Sequence, residues 1–163
     1  MTNTLNDSEL RTLLKKTKSM AMIGVSASPL KASFFVARYF VLRGISIIPI
    51  NPNYEGQYLW GEKVLGKISD IDTNKRVDLI DIFRPSKEAP NIVDETIKYL
   101  KPLGCKTVWM QIGIKNKKAE LKAKNNDMRV IMDKCPKIEY QRLFGELRVA
   151  GFNTSIISSK LDL

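Results

Sequence analysis

Residues 20–53 read M-A-M-I-G-V-S-A-S-P-L-K-A-S-F-F-V-A-R-Y-F-V-L-R-G-I-S-I-I-P-I-N-P-N. Two short apolar runs, one near each end of this stretch, flank a segment whose apolar residues recur at helical spacing. The loop after the first run, residues 24–33, is small, polar and marked by proline, and it predicts Ser33 as the cap of the following helix. Gly44 predicts the end of that helix. The stretch therefore indicates a strand, a loop, a helix and a second strand.

The rest of the chain continues the alternation of strands and helices. A first helix, capped by Asp7 or Ser8, is predicted to run to about Lys16. Further strands are predicted at residues 77–83, 106–112 and 128–132, and further helices at residues 86–104, 116–125 and from Cys135 onward. Such alternation places parallel strands side by side with helices on both faces. We therefore expect an α/β protein with a Rossmann-like three-layer fold, an open, mostly parallel sheet of five or six strands, and one domain over residues 1–163.

Composition and charge restrict the classes of function. The chain has 163 residues, 27 Lys and Arg against 17 Asp and Glu, a net charge of +10 and no His. The lack of His excludes Ser-His-Asp and Cys-His catalysis and His-liganded metal sites within this chain. The positive charge favours an anionic partner such as nucleic acid, acidic lipid or a polyphosphate. Without a signal-peptide pattern or a run of ~18 apolar residues, we expect a soluble, cytoplasmic, reduced protein with no membrane partner.

The carboxyl ends of the predicted strands are the expected place for a ligand in an open α/β sheet. Four segments leave the strands there, residues 24–33, 51–54, 83–86 and 111–115. The first is the best candidate for binding an anion, because a helix N-terminus attracts negative charge. This first segment also contains a glycine for a tight turn, three hydroxyl groups and one cation, at Gly24, Ser26, Ser28, Ser33 and Lys31. The alternative is a plain turn in which the serines only cap the helix.

The same loop lacks the fingerprint of a dinucleotide-binding site. A G-x-G-x-x-G motif starting at Gly24 would need glycines where Ser26 and Pro29 stand. The acidic residue that should end the second strand and hold the ribose is also missing, since that strand ends in Ile50-Asn51-Pro52. The sequence therefore argues against NAD or FAD as the ligand.

A series of short motifs carries a family resemblance. In chain order they are G-V-S-A-S-P (24–29), K-A-S-F (31–34), V-A-R-Y (36–39), I-P-I-N-P-N (48–53), G-E-K-V-L (61–65), D-I-F-R-P (81–85), V-W-M-Q-I-G-I (108–114), M-D-K-C-P-K-I-E (132–139) and G-F-N-T-S-I-I-S-S-K (151–160). With these motifs the chain resembles the small stand-alone CoA-binding proteins, whose fold is that of the CoA-binding domain of the succinyl-CoA synthetase α subunit. The joint match, rather than any single motif, carries the resemblance.

The resemblance implies coenzyme A or an acyl-CoA as the ligand. By position, residues 26–29 would meet the pyrophosphate, with Lys31 paired to phosphate, and residues 51–53 would flank the adenosine. Residues 83–85 would line the adenine or pantetheine side, where Arg84 could join Lys31 in receiving the phosphates, and residues 111–113 would lie along the pantetheine arm. The implied CoA-binding residues are Gly24, Ser26, Ala27, Ser28, Pro29, Lys31, Ser33, Asn51, Pro52, Asn53, Phe83, Arg84, Pro85, Gln111, Gly113 and Cys135.

The chain also departs from the synthetase. Asn53-Tyr54 stands where the synthetase has a lysine, and Ile112 stands where it has a glutamate. The second domain and the phosphorylated histidine of the synthetase have no counterpart here, so the resemblance does not imply ligase activity.

Three further features are weighed against simpler interpretations. Cys135 precedes Pro136 at a predicted helix start, where the helix dipole would lower the pKa of its thiol. Such a thiol could form a mixed disulfide with CoA. The alternative is that Cys135 is a small buried residue without a chemical role. The lysines around residues 116–125 could bind nucleic acid, but a solvated helix face with Glu120 paired to Lys124 is the simpler interpretation. Trp109 and Cys105 are predicted as core residues.

The carboxylates Asp78, Asp81 and Asp133 have no metal-binding or acid–base spacing, although Asp81 or Asp133 could accept hydrogen bonds from loop amides. The sequence thus predicts a nucleotide-binding protein for CoA or acyl-CoA, with no catalytic group or metal site evident. The alternatives are an enzyme or subunit that handles CoA thioesters or CoA disulfides through Cys135 or a partner and, more weakly, a basic protein associated with nucleic acid. The sequence leaves the oligomeric state open.

Overall fold

The computed structural model describes residues 5–149 and residue 151. Its strands are β1 (Ser19–Ile23), β2 (Ser46–Ile50), β3 (Tyr58–Leu59), β4 (Glu62–Lys63), β5 (Leu79–Ile82), β6 (Thr107–Met110) and β7 (Arg129–Ile131), and its helices are α1 (Asp7–Lys16), α2 (Ala32–Val41), α3 (Ala89–Glu95), α4 (Lys117–Lys124), α5 (Pro136–Leu143) and α6 (Glu146–Val149). In this part of the chain, five strands form one parallel sheet in the order β2-β1-β5-β6-β7. The predicted α/β fold with a parallel sheet is confirmed.

Side chains of the sheet alternate between two apolar layers. Ile80 and Val108 face the layer that contains the buried residues of α3 and α4. Leu79 and Trp109 face the layer formed with α1, α2 and α5. Trp109 is fully buried, as predicted, and its indole N–H donates to the carbonyl oxygen of Lys134 at 2.7 Å. The central strands β1, β5 and β6 are therefore covered on both faces, which is why their sequences read as nearly continuous apolar runs.

The helix starts differ from the prediction. Asn6, rather than Asp7 or Ser8, caps α1, because its side chain accepts the N–H of Glu9 at 2.9 Å. The prediction that Ser33 caps α2 is wrong: the helix begins at Ala32, and the capping residue makes no side-chain hydrogen bond to it. The Ser33 hydroxyl accepts a hydrogen bond from the preceding loop instead. A serine close to a helix start can satisfy either group, and here the loop amide is the one satisfied.

The middle of the chain is less regular than its periodicity suggests. The predicted helix over residues 86–104 consists of a 3-10 turn, α3, a π-helical turn at Thr96–Leu100 and a second 3-10 turn at Lys101–Leu103. Pro102 lies in that last turn, and it has no N–H to continue the helical hydrogen bonds. Gly104 then ends the segment with a φ of 101°, as predicted. The short antiparallel hairpin of β3 and β4 was not predicted.

The order of the strands opens a crevice at the carboxyl edge of the sheet. The chain passes from β1 through α2 to β2 on one side, and then returns across β1 to β5 on the other. Ligands of such sheets bind where the strand order reverses, here beyond the ends of β1 and β5. Within residues 5–149, no helix is long and apolar enough to cross a bilayer. The last motif of the family resemblance, residues 151–160, lies outside the described residues except for Gly151.

Candidate functional site

The loop after β1 approaches the end of β5 closely at Gly24. Its N–H donates to the carbonyl oxygen of Ile50 at 2.8 Å, and its φ of 88° is one that residues with a side chain rarely adopt. A Cβ atom at this position would lie 3.0 Å from Cδ of Arg84 and 3.3 Å from the backbone carbon of Phe83. Glycine is therefore required both by the turn and by the neighbouring strand exit.

The serine hydroxyls shape the loop itself. The hydroxyl of Ser33 accepts the N–H of Ser26 at 2.9 Å, and the hydroxyl of Ser26 accepts the N–H of Ser28 at 3.0 Å. Ser26 and Ser33 are both buried. The phenol oxygen of Tyr54, a residue that the sequence did not single out as a contact, lies 3.3 Å from the Ser26 hydroxyl. Ser26 and Ser33 thus hold the loop in shape, which is a narrower role than offering hydroxyls to an anion.

Asn51 ties the end of β2 to the same loop. Its side-chain amide donates to the carbonyl oxygen of Val25 at 2.9 Å, and its side-chain oxygen accepts the N–H of Asn53 at 3.0 Å. Asn51 is buried, whereas Pro52 and Asn53 are exposed on a 3-10 turn. Pro52 and Asn53 therefore remain the members of this segment with surface to offer a ligand.

The start of α2 is the best-equipped place for an anion. The backbone N–H groups of Ala32 and Ser33 have no acceptor within the described residues, as is normal for a first helical turn. Lys31 is exposed, and no carboxylate in the described part of the chain pairs with it. Ala27 and Pro29 lie in the same turn of chain between β1 and α2. Helix amides and a neighbouring cation together attract negative charge.

Arg84 is less available to bind a phosphate group than the sequence suggested. Its guanidinium donates from Nε and NH2 to the two carboxylate oxygens of Glu88, at 2.8 and 3.0 Å. This ion pair raises the pKa of Arg84 and lowers the pKa of Glu88. Since the charge of Arg84 is already matched, Lys31 is the cation beside the loop that has no carboxylate partner among the described residues.

An apolar groove of about 490 Å³ begins at the start of α2. Its lining comes from α2, the turn after β5, the loop after β6 and the start of α5: Ala32, Val36, Phe83, Arg84, Pro85, Gln111, Ile112, Ile114, Cys135 and Ile138. Ile112 and Ile138 are 60% and 43% exposed. The volume lies within the usual range of ~300–1,000 Å³ for ligand pockets. Val36 was recognisable as an apolar helix position, and Ile114 lies in the predicted ligand-facing segment 111–115, but nothing in the sequence marked Ile138 as a groove residue.

Asp81 and Gln111 form a buried polar pair beneath this groove. The Gln111 amide nitrogen donates to both carboxylate oxygens of Asp81, at 2.8 and 3.1 Å. Asp81 is fully buried, and the loss of hydration raises the pKa of its carboxyl to about 8. The sequence anticipated that Asp81 could accept from a loop amide; in the structure its side-chain partner is Gln111.

The loop after β6 is fixed to its neighbours on both sides. The N–H of Gly113 donates to Asp133 at 2.8 Å, which confirms the prediction for that carboxylate, and Lys115 lies 2.8 Å from its other oxygen. Lys115 and the Gly113 amide lower the pKa of Asp133. The N–H of Lys115 also donates to the Ser86 hydroxyl at 3.0 Å. Gly113 is outside the groove lining, and its N–H is already engaged.

The thiol of Cys135 does not have the predicted low pKa. Cys135 caps α5 but is only 8% exposed, and burial raises its pKa despite backbone hydrogen bonds from Lys137 and Ile138. Desolvation outweighs the short helix here, so the prediction of an activated thiol is wrong and the prediction of a buried residue is confirmed. Cys105 is fully buried, as predicted, with its pKa raised to about 12. Cys135 differs from Cys105 in lining the groove.

The basic residues of α4 are largely ion-paired. Lys117 and Lys124 lie 3.0 and 2.6 Å from Glu120, and Lys122 pairs with Asp94. Lys124 and Lys117, through their hydrogen bonds to the carboxylate, lower the pKa of Glu120. The predicted Glu120–Lys124 contact is confirmed, and the pattern fits a solvated helix face better than a strip of cations for phosphates.

A second cavity, of about 470 Å³, lies at the opposite edge of the sheet. Its lining includes α1 and the residues that lead into β5, β6 and β7, among them Lys106 and Arg129. None of the loops that leave the carboxyl ends of β1, β2, β5 and β6 contributes to its lining. Because ligands of parallel α/β sheets bind at the carboxyl edge, the groove rather than this cavity is the candidate site.

Comparisons with known proteins bear on the same part of the chain. A family model described as "CoA binding domain" matches residues 18–141. This match runs from the start of β1 into α5 and so includes the loop, the groove and the Asp81–Gln111 pair.

Individual relatives are similar in sequence and in structure. The uncharacterized protein YneT of Bacillus subtilis is 29% identical over 132 residues, covering 81% of this chain and 92% of its own. A solved structure from Thermus thermophilus, titled cell-free ID.343, has a TM-score of 0.79 and 31% identity, covering 86% of this chain and 100% of its own. A hypothetical protein from Pyrococcus horikoshii has a TM-score of 0.78 and 29% identity, covering 86% of this chain and 94% of its own.

Proposed function

The chain belongs to the CoA-binding domain family, and on that premise we propose that it is a binding module for coenzyme A or an acyl-CoA. The diphosphate sits at residues 24–33 against the start of α2, and the pantetheine arm enters the groove beside it. The adenosine rests near Pro52 and Asn53. The module holds its ligand without carrying out chemistry on it.

The continuity between the loop and the groove carries this proposal. Ala32 is the first residue of α2, where the unpaired amides lie, and it is also part of the groove lining. A ligand with a polyanionic end and a long, mostly uncharged arm matches that order of features. CoA has this construction, whereas ADP lacks the arm and NAD places a second nucleoside beyond its diphosphate.

The charges of the site suit the same ligand. No carboxylate in the described part of the chain pairs with Lys31, and the helix amides are oriented toward the loop, so a diphosphate is stabilised there without breaking an ion pair. Arg84 contributes its aliphatic stem, which packs over Gly24 and lines the groove. The groove itself is apolar apart from Gln111, the Cys135 thiol and the guanidinium of Arg84, which is neutralised by Glu88.

Replacing Lys31 with alanine tests the position of the phosphates. We expect Lys31→Ala to weaken CoA binding by about 1.5–3 kcal/mol, the usual range for a charge-assisted contact, and to leave the unfolding temperature unchanged because the side chain is exposed. Isothermal titration calorimetry near physiological ionic strength measures the affinity. Lys106→Ala is the matched control, since it removes the same charge from the second cavity at the opposite edge. Equal losses in the two variants would mean that only net charge matters and would contradict the assignment.

A second candidate function uses the thiol of Cys135. This thiol lines the groove proposed for the pantetheine arm, whose own end is a thiol. With CoA disulfide as the oxidant, the Cys135 thiolate attacks one sulfur, a protein–CoA disulfide forms, and the other CoA leaves as a thiolate. The raised pKa of Cys135 makes this reaction slow at neutral pH and faster as the pH rises.

The disulfide candidate predicts a specific change in mass. Incubation with CoA disulfide should add one CoA to the intact protein, and dithiothreitol should remove it. Cys135→Ser should abolish the adduct, while Cys105→Ser, which alters the fully buried thiol outside the groove, should retain it. Mass spectrometry of the intact protein after denaturing quench reads out both variants. An adduct that survives in Cys135→Ser would rule out this candidate.

A further inference from the structure

The side-chain amide of Gln111 uses its nitrogen, but not its oxygen, in hydrogen bonds with the described residues. Its nitrogen donates to both carboxylate oxygens of Asp81. Its oxygen has no hydrogen-bond partner among the described residues. Every side-chain nitrogen or oxygen that is fully buried in this part of the chain does have a partner, so the Gln111 oxygen is not fully buried. The oxygen is therefore accessible, and Gln111 lines the groove. In this arrangement the groove presents an acceptor to its occupant.

We propose that Asp81 is a positioning residue that sets the orientation of the Gln111 amide, and thereby decides whether the groove offers an acceptor or a donor to its ligand. This inference rests on the proposed function, because it takes the pantetheine arm as the occupant. Asp81 does not touch the ligand. It acts only through Gln111.

The physical basis is the change in hydrogen bonding when a carboxyl group gains a proton. An ionised carboxylate only accepts, so it holds the amide nitrogen of Gln111 and leaves the amide oxygen toward the groove. A protonated carboxyl also donates, and it can hold the amide oxygen while the nitrogen turns to the groove. The two orientations of an amide have nearly the same shape, so the surrounding packing does not choose between them.

The surroundings of Asp81 allow this change near neutral pH. In the sheet register, Met22 of β1 and Trp109 of β6 lie beside Asp81, and neither is titratable. On the helical side, the titratable group is the thiol of Cys135 at the start of α5. The Asp81 carboxylate opposes the ionisation of this thiol, and Lys137 favours it. Burial dominates and raises the pKa of Asp81 to about 8. Above that pH the carboxylate form prevails, and below it the neutral form prevails.

The consequence is a pH-dependent preference for the group that lies against Gln111. Above about pH 8 the groove offers an oxygen, which suits an amide N–H such as those of the pantetheine arm. Below it the groove offers an N–H, and a bound amide N–H loses its acceptor. Since the loss of one hydrogen bond is at stake, we expect the affinity for CoA to rise about three- to tenfold across this transition.

The test compares the parent protein with Asp81→Asn by calorimetry between about pH 6.5 and 9.5. CoA itself titrates over this range, so the quantity to follow is the ratio of the two affinities, from which the ligand's own protons cancel. We expect the ratio to rise about three- to tenfold with pH for CoA and to stay flat for ADP, which has no arm in the groove. The control is Asp94→Asn, which removes a carboxylate that pairs with Lys122 on α4. The CoA affinity of this control should change with pH as that of the parent does.

Two further readouts keep the inference separate from stability and from the proposed function. Even if Asp81→Asn folds poorly, Gln111→Ala should keep only the pH dependence that comes from the titration of CoA itself, so the ratio of the parent affinity to the Gln111→Ala affinity should rise with pH in the same way. Carbon-13 NMR of the Asp81 carboxyl should give a titration near pH 8 in the parent protein. Parallel affinity profiles in the parent and both variants would overturn the inference. Failure of the parent to bind CoA at any pH would instead contradict the proposed function.

Discussion

Coenzyme A, supplied at about a hundred times its dissociation constant, should stabilise the folded protein by ~2.7 kcal/mol, because it binds only the native state. For a chain of this size each kcal/mol raises the melting temperature by about 2–4 °C, so we expect a shift of about 5–10 °C. ADP at the same concentration should give a smaller shift, and NAD the smallest. Thermal denaturation followed by circular dichroism or calorimetry measures all three.

The order of the three ligands follows from the site. All three carry a diphosphate, so the loop and Lys31 cannot separate them. Only CoA has an arm for the groove, and the end of β2 lacks the acidic residue with which NAD-binding proteins hold a ribose. The comparison belongs at physiological ionic strength, where the screening length is about 8 Å and the net charge of +10 attracts polyanions less. A shift for NAD equal to that for CoA would contradict the proposed ligand.

The sheet was predictable because its signal is local. Each buried strand is a short apolar run, and each glycine that ends a helix, such as Gly44 and Gly104, stands in sequence where the chain turns. The β3–β4 hairpin was not predictable in this way. Its strands have two residues each, and it turns through Trp60 with a φ of 51°, a conformation that no local rule assigns to tryptophan.

The features of the candidate site were likewise predictable where they depend on residues close in sequence, and not predictable where they depend on residues far apart in sequence. The signal on which we propose residues 24–33 as the anion-binding loop is local, since a glycine, a cation and a helix start follow one another in sequence. The neutralisation of Arg84 is also local, and the spacing to Glu88 could have revealed it. By contrast, the Asp81–Gln111 pair joins two strands, and a carboxylate in an apolar run gives no sign of its partner. The roles of Ser26 and Ser33 likewise depend on how the loop folds back.

Gly24→Ala should be the most damaging single change in the loop. At its φ of 88°, any side chain costs ~1–2 kcal/mol. The new methyl group would also meet Arg84 and Phe83 at 3.0 and 3.3 Å, closer than ordinary contacts, and overpacking of this kind typically costs ~1–3 kcal/mol. We expect a loss of about 2–5 kcal/mol in the free energy of unfolding, together with strongly weakened CoA binding, since the loop must move away from the groove.

Gly44→Ala separates the two contributions to that loss. Gly44 has a similar φ of 74° but no atom within 4 Å of the added Cβ, so only the backbone cost of ~1–2 kcal/mol applies. It ends α2 at the far end of the helix from the loop, and its substitution should leave CoA affinity intact. Urea denaturation of both variants gives the stabilities, and calorimetry gives the affinities. If Gly24→Ala were no less stable than Gly44→Ala and bound CoA as the parent does, the close approach of the loop to the end of β5 would have no part in forming the site.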